Sequence, residues 1–317
     1  MLKHQLLNLR WRGISIIPCK IKQMKQHQAI HAVTDQEWID KAGDTLQPAV
    51  LNAFKAGGET GKQIKNALHG TWLGHPLHPA ITDIPVGAWT TAAVLDVLEL
   101  SGEKKYAPGA DAAVAVGLAG AVGAAITGLT DWTGTTKERR RVGLVHGMLN
   151  MGAAALYTTS LLLRRRKNSR GGAIGLSMLG YGIASFSAYL GGHLVYGKQV
   201  GVDHTAGPET YPEDFVAVLP ENELKDNSMR CVKAGEVNVL LARQNGKTFA
   251  IAHTCSHLGG PLSEGDLLEG RVRCPWHNSV FSLEDGSVVE GPATEPQPSF
   301  EVRTRNGLIE VRLSQGG

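Results

Sequence analysis

Two short segments in the last third of the chain each offer one thiol and one imidazole. The first is Cys255-Ser-His257, followed by Leu-Gly-Gly-Pro, and the second is Cys274-Pro-Trp-His277, with sixteen residues between His257 and Cys274. Thiolate sulfur and neutral imidazole nitrogen are preferred ligands of transition metals. The pattern C-x-H…C-x2-H therefore predicts a metal centre built from Cys255, His257, Cys274 and His277.

These segments resemble the cluster-binding loops of the Rieske iron–sulfur family. The resemblance implies a [2Fe–2S] cluster in which Cys255 and Cys274 ligate an inner iron, and His257 and His277 ligate an outer iron near solvent. It covers roughly residues 211–314 and extends through three further motifs: Asn278-Ser-Val-Phe281, Asp285-Gly286 and Gly291-Pro292-Ala293.

The subtype follows from three positions. Rieske proteins of quinol-oxidising complexes resemble this pattern but carry a second Cys in each loop, where this chain has Gly260 and Trp276. They also usually place a Tyr near a cluster sulfur, where this chain has Phe281. Because fewer donors to sulfur lower the reduction potential, the resemblance implies the low-potential ferredoxin type that feeds oxygenases.

Structural zinc is the alternative for the same donor set. A Cys2His2 set also binds zinc tetrahedrally, but zinc fingers typically pair Cys with Cys and His with His. Here each loop pairs one Cys with one His, which favours the iron–sulfur interpretation. The chain has only 4 Cys, so a disulfide framework is not expected.

The elements around these loops are predicted to be strands. Asn245-Gly246 and Asn306-Gly307 are strong hairpin signals, and they separate short apolar runs. Residues 211–317 are therefore expected to form a small all-β domain. The predicted strands are Phe215–Leu219, Glu236–Arg243, Thr248–His253, Arg271–Arg273 and Leu308–Leu313.

The first two thirds of the chain have a different composition. Residues 205–317 hold 10 basic and 16 acidic residues, a net charge of −6, whereas residues 1–204 hold 22 basic and 13 acidic residues, a net charge of +9. About 20 apolar residues suffice to span a bilayer as a helix. Four apolar runs reach that length: Pro79–Leu100, Ala110–Thr130, Val142–Leu163 and Ala173–Tyr196.

The segment Leu73-Gly-His75-Pro-Leu-His78-Pro79 precedes the first run. With Asp83, Pro85 and Gly-Leu-Thr-Asp131-Trp132, it resembles a bacterial membrane family called domain of unknown function 2231. The resemblance covers about residues 70–200. It implies a four-helix membrane domain and no established activity.

Four histidines of this region, His75, His78, His146 and His193, form a possible second site. If the runs cross a bilayer alternately, all four fall near the end from which the β domain extends. Ionisable groups in membrane spans are functional candidates, so one hypothesis is a haem or metal site using His146 with His193, or His75 with His78. We favour the other hypothesis at this point, interhelical hydrogen bonding.

The predicted architecture is multi-domain: an α-helical four-span membrane bundle followed by a small all-β Rieske-type domain. A polar helix over residues 34–68, beginning at Thr34 or Asp35, is expected before the bundle. Met1–Gln28 lacks a signal-peptide pattern. The predicted domains are residues 1–69 (helical extension), 70–200 (transmembrane domain), 201–210 (linker) and 211–317 (Rieske domain).

Topology follows from span number and charge. Four spans place both termini on the same side of the membrane. Basic residues are balanced between the two sides, so they do not decide which side this is. The missing export signal therefore favours a cytoplasmic Rieske domain on a bacterial-type inner (plasma) membrane. The basic clusters are interpreted as contacts with anionic lipid, and no nucleic-acid partner is expected.

The predicted function is one-electron transfer by a membrane-anchored [2Fe–2S] protein to or from a soluble or membrane redox partner. No catalytic domain follows Leu313, so we expect an electron carrier without catalysis of its own. One alternative is the iron–sulfur subunit of a membrane oxidoreductase, with quinone or haem at the helical domain. The other is a redox-sensing or structural module.

Overall fold

The computed structural model describes residues 34–166, 168–205 and 211–314. Within them a helical part precedes a β part, as the composition predicts. The interpretation of Met1–Gln28 falls outside the described residues. The α-helices are α1 Glu37–Ala56, α2 Gly58–His69, α3 Leu77–Leu100, α4 Ala107–Trp132, α5 Lys137–Arg164 and α6 Arg170–Gly192.

The predicted polar helix over residues 34–68 is wrong in detail, because the structure has two helices there. α1 begins after Gln36, later than predicted, and the chain turns at Gly57 and Gly58, where Gly58 has a φ of 56°. A left-handed φ is unfavourable for residues with a Cβ, so the glycine pair permits the break between α1 and α2.

α1 fixes the turn that joins α4 to α5. Gln47 Nε2 lies 3.0 Å from Trp132 O, 3.2 Å from Thr133 O and 2.9 Å from Thr135 O, and donates to these carbonyls at the end of α4. Carbonyls at and just beyond the end of a helix lack the partner that a further turn would supply, and Gln47 bonds to them in addition to Thr135 N–H, which donates to Trp132 O at 3.1 Å. One amide side chain therefore holds the turn over residues 133–136 in place.

The four long helices form two antiparallel hairpins. α3 packs closely along α4, and α5 packs closely along α6, whereas the two hairpins meet each other more loosely. Glycine permits the close approach in the first hairpin, since a Cβ built on Gly120 would lie 2.6 Å from Ile84 Cγ2. The seam between the hairpins is thus the less tightly packed part of the bundle.

The expectation of four membrane spans needs a correction. In the described residues, three helical segments are long and apolar enough to cross a bilayer: Leu77–Leu100, Lys104–Trp132 and Arg170–Gly197. The predicted third run, Val142–Leu163, lies in α5, which is a long helix of the bundle but is not apolar enough to meet that criterion.

The polar side chains of α5 explain this difference, because they bond to neighbouring helices. Ser160 Oγ lies 2.6 Å from Ala173 O and 2.7 Å from Ser177 Oγ, both on α6. Arg164 pairs with Asp96 of α3, and both side chains are completely buried. Polar groups in a bilayer must be satisfied internally, and α5 supplies them to the inside of the bundle.

The β part consists of two antiparallel sheets. One has the order β1-β10-β9-β4-β3-β2, and the other β5-β6-β7-β8. The five predicted strands are present within a residue or two of their expected bounds. The strands are β1 Val216–Pro220, β2 Ser228–Ala234, β3 Val237–Gln244, β4 Lys247–Ala252, β5 Asp266–Leu268, β6 Arg271–Arg273, β7 Val280–Ser282, β8 Val288–Glu290, β9 Ser299–Arg305 and β10 Leu308–Leu313.

Both predicted hairpin turns are confirmed. Asn245 and Gly246 have φ values of 53° and 73°, and Asn306 and Gly307 have 52° and 73°. Positive φ at both central residues is the signature of a type I′ turn, which matches the twist of the strands it connects. These turns join β3 to β4 and β9 to β10.

Alternate side chains of β3 enter two hydrophobic cores. Val239 and Leu241 pack into the core of the larger sheet. Leu240 and Ala242 pack on the other side, in a core that includes Cys255 and Cys274 (the pleat sends successive side chains to opposite faces). The two thiols are therefore held by the same core that joins the two sheets.

We expect Arg164→Ala to lower the free energy of unfolding of the purified protein in detergent by about 3–5 kcal/mol, because removal of one partner leaves a buried carboxylate uncompensated. The matched control is Arg165→Ala, whose side chain is exposed. Equal unfolding free energies of the two variants would contradict a buried ion pair at Asp96.

Candidate metal centre

The first candidate ligand loop lies between β4 and β5. Cys255 opens it, and the Cys255 N–H donates to Gly260 O at 2.8 Å. Within the loop, Gly259 N–H donates back to Cys255 O at 2.9 Å, and Gly259 has a φ of 78°. The left-handed residue lets the chain reverse and present His257 beside Cys255.

The second loop, between β6 and β7, repeats this design. Cys274 N–H donates to Ser279 O at 2.8 Å, and Asn278 N–H donates to Cys274 O at 3.2 Å. Asn278 has a φ of 63°, a conformation that Asn tolerates better than most residues. Each loop thus holds its Cys at the base and its His two or three residues further along.

The two thiols converge in the interior. Cys255 and Cys274 are each 1% exposed, and their side chains hydrogen-bond to each other. The bond from Cys255 and the N–H groups of Trp276 and His277 lower the pKa of Cys274 to about 7. The same thiol pairing, with burial, raises the pKa of Cys255. N–H groups aimed at sulfur stabilise thiolate charge, as a metal ligand requires.

The two imidazoles lie side by side nearer the surface. The rings of His257 and His277 have centroids 5.0 Å apart and are nearly perpendicular. Burial, and then the positive charge of Arg139, lower the pKa of His277 to about 4, and burial lowers that of His257 well below its usual value. Both rings are therefore neutral near pH 7, the state in which imidazole ligates a metal.

One observation tests whether this set suits a cluster. His257 Nδ1 is buried and has no hydrogen-bond partner among the described residues, an arrangement that costs free energy unless a ligand fills it. The thiols lie inside and the imidazoles outside, the separation that the Rieske resemblance implies. The four side chains thus fit a [2Fe–2S] cluster held by two sulfurs on one side and two nitrogens on the other.

Gly260 is needed for close approach. A Cβ built there would lie 2.8 Å from Cys274 Sγ and 3.2 Å from Trp276 Cγ. Gly260 and Trp276 are thus neighbours in space, although they come from different loops. Phe281 is fully buried and contributes no hydroxyl.

The helical part covers the His257 side of this centre. A Cβ built on Gly134, in the turn between α4 and α5, would lie 3.2 Å from His257 Cε1. His204 N–H, in the connection after α6, donates to Ser256 O at 2.9 Å. The His277 side differs, since its neighbour Trp276 is 53% exposed.

Residues of α2 hold the β8 region against the bundle. Asn66 Nδ2 donates to Val289 O at 3.2 Å, and Gly291 N–H donates to Asn66 Oδ1 at 3.1 Å. Lys62 and Lys65 pair with Glu290 at 3.8 and 3.9 Å. The burial of Lys65 lowers its pKa, although Glu290 opposes this. These contacts orient the loops toward the helices.

Sequence reasoning missed His69 at this junction. His69 is 0% exposed, and its Nδ1 lies 2.7 Å from Asp131 Oδ1 at the end of α4. Its ring also faces the β part, since a Cβ built on Gly291 would lie 3.1 Å from His69 Cδ2. No local spacing could have revealed it, because its partners are distant in the sequence and its helix is polar.

The structure separates the four membrane histidines differently from either predicted pairing. The ring contact that it shows is between His78 and His146, with centroids 6.3 Å apart. His75 is exposed and bonds to Pro76 O at 3.1 Å. His193 lies in a short π-helical turn after α6, with its ring beside Gly197.

Comparisons with known proteins agree with both halves of this description. The Rieske [2Fe-2S] domain matches residues 214–301, and the predicted membrane protein family DUF2231 matches residues 74–204. The 3-phenylpropionate/cinnamic acid dioxygenase ferredoxin subunit of Photorhabdus laumondii subsp. laumondii is 33% identical over 99 residues, which are 31% of this chain and 93% of that protein.

Other relatives are matched only in part. Human apoptosis-inducing factor 3 is 37% identical over 113 residues, 35% of this chain, and the chain spans only 19% of that protein. A solved complex of reduced oxygenase and oxidized ferredoxin in carbazole 1,9a-dioxygenase matches at 27% identity with a TM-score of 0.30, covering 32% of this chain and 94% of that chain.

The family and cofactor follow from the domain match and the ferredoxin relative. The β part is a Rieske [2Fe–2S] electron carrier, and its cofactor is a [2Fe–2S] cluster. The chain therefore belongs to the Rieske family through this part, which is joined to a helical part that matches the predicted membrane protein family DUF2231.

Proposed function

We propose that this protein is a membrane-anchored Rieske carrier that passes single electrons between the membrane side and a soluble redox partner. The observation that supports this proposal is the unequal surroundings of the two histidines. His257 is packed against the turn at Gly134, whereas His277 lies beside the exposed Trp276. One edge of the centre thus adjoins the turn at Gly134. The other lies beside an exposed ring that a partner can reach, although the charge of Arg139 on α5 acts on His277 as well.

The residues have separate roles in this proposal. When bound, the cluster supplies reversible one-electron oxidation and reduction. Cys255 and Cys274 hold it from the core, where backbone N–H groups stabilise thiolate charge. His257 and His277 hold its outer side as neutral ligands, which favours a higher potential than four thiolates would give.

Membrane anchoring is supported by the three apolar helical segments of the described chain and by the DUF2231 match. We further propose a bacterial-type inner membrane, with the Rieske domain in the cytoplasm. The domain limits that we assign are residues 70–200 for the membrane domain and 211–317 for the Rieske domain. The acidic Rieske domain suits a partner with a basic docking surface.

The cavity beside His257 favours a carrier over a site that oxidises quinol there. It measures about 20 Å³ and is lined by residues including Pro76, Val202, Pro292 and Glu295. A single water molecule needs roughly that volume, and a quinol ring needs far more.

Loss of any one of the four ligands is expected to abolish the cluster. We expect Cys274→Ser and His277→Ala to remove the electron paramagnetic resonance (EPR) signal of the reduced full-length protein, because each takes away one iron ligand. Cys231→Ser is the matched control, since Cys231 is an exposed free thiol outside the loops, and it should keep the signal. A full signal in Cys274→Ser would exclude this ligand set.

A redox titration followed by EPR tests the subtype. Rieske centres span about −150 to +300 mV, and we expect this one in the lower part of that range, because Gly260, Trp276 and Phe281 provide neither a disulfide nor a hydroxyl. A midpoint near the upper end would overturn the ferredoxin-type assignment. Rapid reduction of the cluster by quinol in membranes would instead favour the oxidoreductase-subunit alternative.

Docking of the two parts can be tested at Glu290. We expect Glu290→Lys to make the Gly291 amide exchange hydrogen roughly tenfold faster, equivalent to about 1.4 kcal/mol, because repulsion from Lys62 and Lys65 weakens the contact that protects it. Glu284→Lys, which breaks an exposed pair with Lys247, is the control. Hydrogen-exchange mass spectrometry of the full-length protein gives the rates, and equal rates in the two variants would argue against docking.

A further inference from the structure

Two imidazoles meet in the seam between the helical hairpins. His78 is on α3 of the first hairpin and His146 is on α5 of the second, and their ring planes are 88° apart at a centroid separation of 6.3 Å. Both rings are only partly buried. At this point the seam thus has an imidazole on either side.

Hydrogen bonds direct the same nitrogen of each ring away from the seam. His78 Nδ1 lies 2.9 Å from Ala124 O on α4, and His146 Nδ1 lies 2.8 Å from Ser187 O on α6. A carbonyl only accepts, so each Nδ1 carries the proton and each Nε2 keeps its lone pair. Asn150 Nδ2 donates to His146 Nε2 at 3.2 Å, which agrees with that assignment and means that Asn150 must release this lone pair before an iron can bind there.

This arrangement is the usual one for a metal-binding histidine, whose second ring nitrogen donates to a carbonyl or carboxylate and thereby fixes the ring. The distance between the two ring centroids also suits two imidazoles that bind one metal. Two metal–nitrogen bonds of about 2.0–2.1 Å, plus the distance from each nitrogen to its ring centre, give a centroid separation of roughly 6 Å across one metal. The observed 6.3 Å matches that value.

A bare ion needs more ligands than this pair supplies. Within residues 34–166, 168–205 and 211–314, no group of three or more His, Cys, Asp or Glu side chains could hold a metal ion. A porphyrin brings its own equatorial nitrogens and requires only axial ligands from the protein. We propose that His78 and His146 are the axial ligands of a haem-type iron porphyrin seated between the hairpins.

The proposed haem site contacts the same segment of α4 and its following turn that contacts the Rieske centre. A Cβ built on Gly128 of α4 would lie 2.7 Å from His78 Cε1. Asp131, one turn further, bonds to His69, and Gly134 abuts His257. The two centres therefore share residues 128–134 as a common support, on the side of the bundle where the Rieske part docks. Haem binding itself does not depend on the proposed function.

The test uses full-length protein purified in detergent from cells supplied with a haem precursor. We expect a Soret band, a pyridine haemochrome and one haem per chain, all lost in His78→Ala and in His146→Ala. His75→Ala and His193→Ala are the matched controls and should keep the haem. Gly128→Ala is a milder variant, expected to reduce haem content by displacing the His78 ring.

The EPR signal of the reduced cluster reports folding of the β part and separates the two proposals, and helical circular dichroism reports folding of the bundle in every variant. Wild-type protein with the cluster signal but no Soret band would overturn the haem site alone. Haem without the cluster signal would overturn the proposed function alone. A metal bound without porphyrin, or haem retained in both His78→Ala and His146→Ala, would also overturn the axial assignment.

Discussion

The contact between His257 and the turn from α4 to α5 is the constraint on which the arrangement of the two parts depends. The turn comes this close because Gly134 has no side chain, since a Cβ there would lie 2.9 Å from Pro292 Cγ and 3.2 Å from His257 Cε1. Gln47 fixes the turn from the side of α1. The position of the metal centre relative to the bundle is therefore set by residues that contribute no ligand to it.

The polar side chains of the bundle also hold separate elements together. The side chains that make α5 a poor membrane segment by composition include those that join it to its neighbours, such as His146 in its first half and Arg164 at its end. In a medium without water, such groups must find protein partners. The helix least suited to lipid is thus the one that binds the bundle together.

The two outer histidines are chemically alike but positioned differently, so the two edges of the metal centre have different neighbours. His257 lies against helices whose polar groups continue through Asp131 and His69. His277 lies next to an exposed aromatic ring. The covering of His257 is the feature that supports the proposed exchange on the membrane side.

The sequence by itself determined what depends on local spacing: the C-x-H…C-x2-H ligand pattern, the Asn-Gly hairpins and the apolar helices, since loops, turns and helix length are decided by residues close together in the chain. It did not predict the break at Gly57, the role of His69, the internal use of the polar residues of α5, or the meeting of His78 with His146. The break is local, because the Gly57–Gly58 pair permits it. The other three depend on which faces of distant helices pack together, and neither hydrophobic period nor motif specifies that packing.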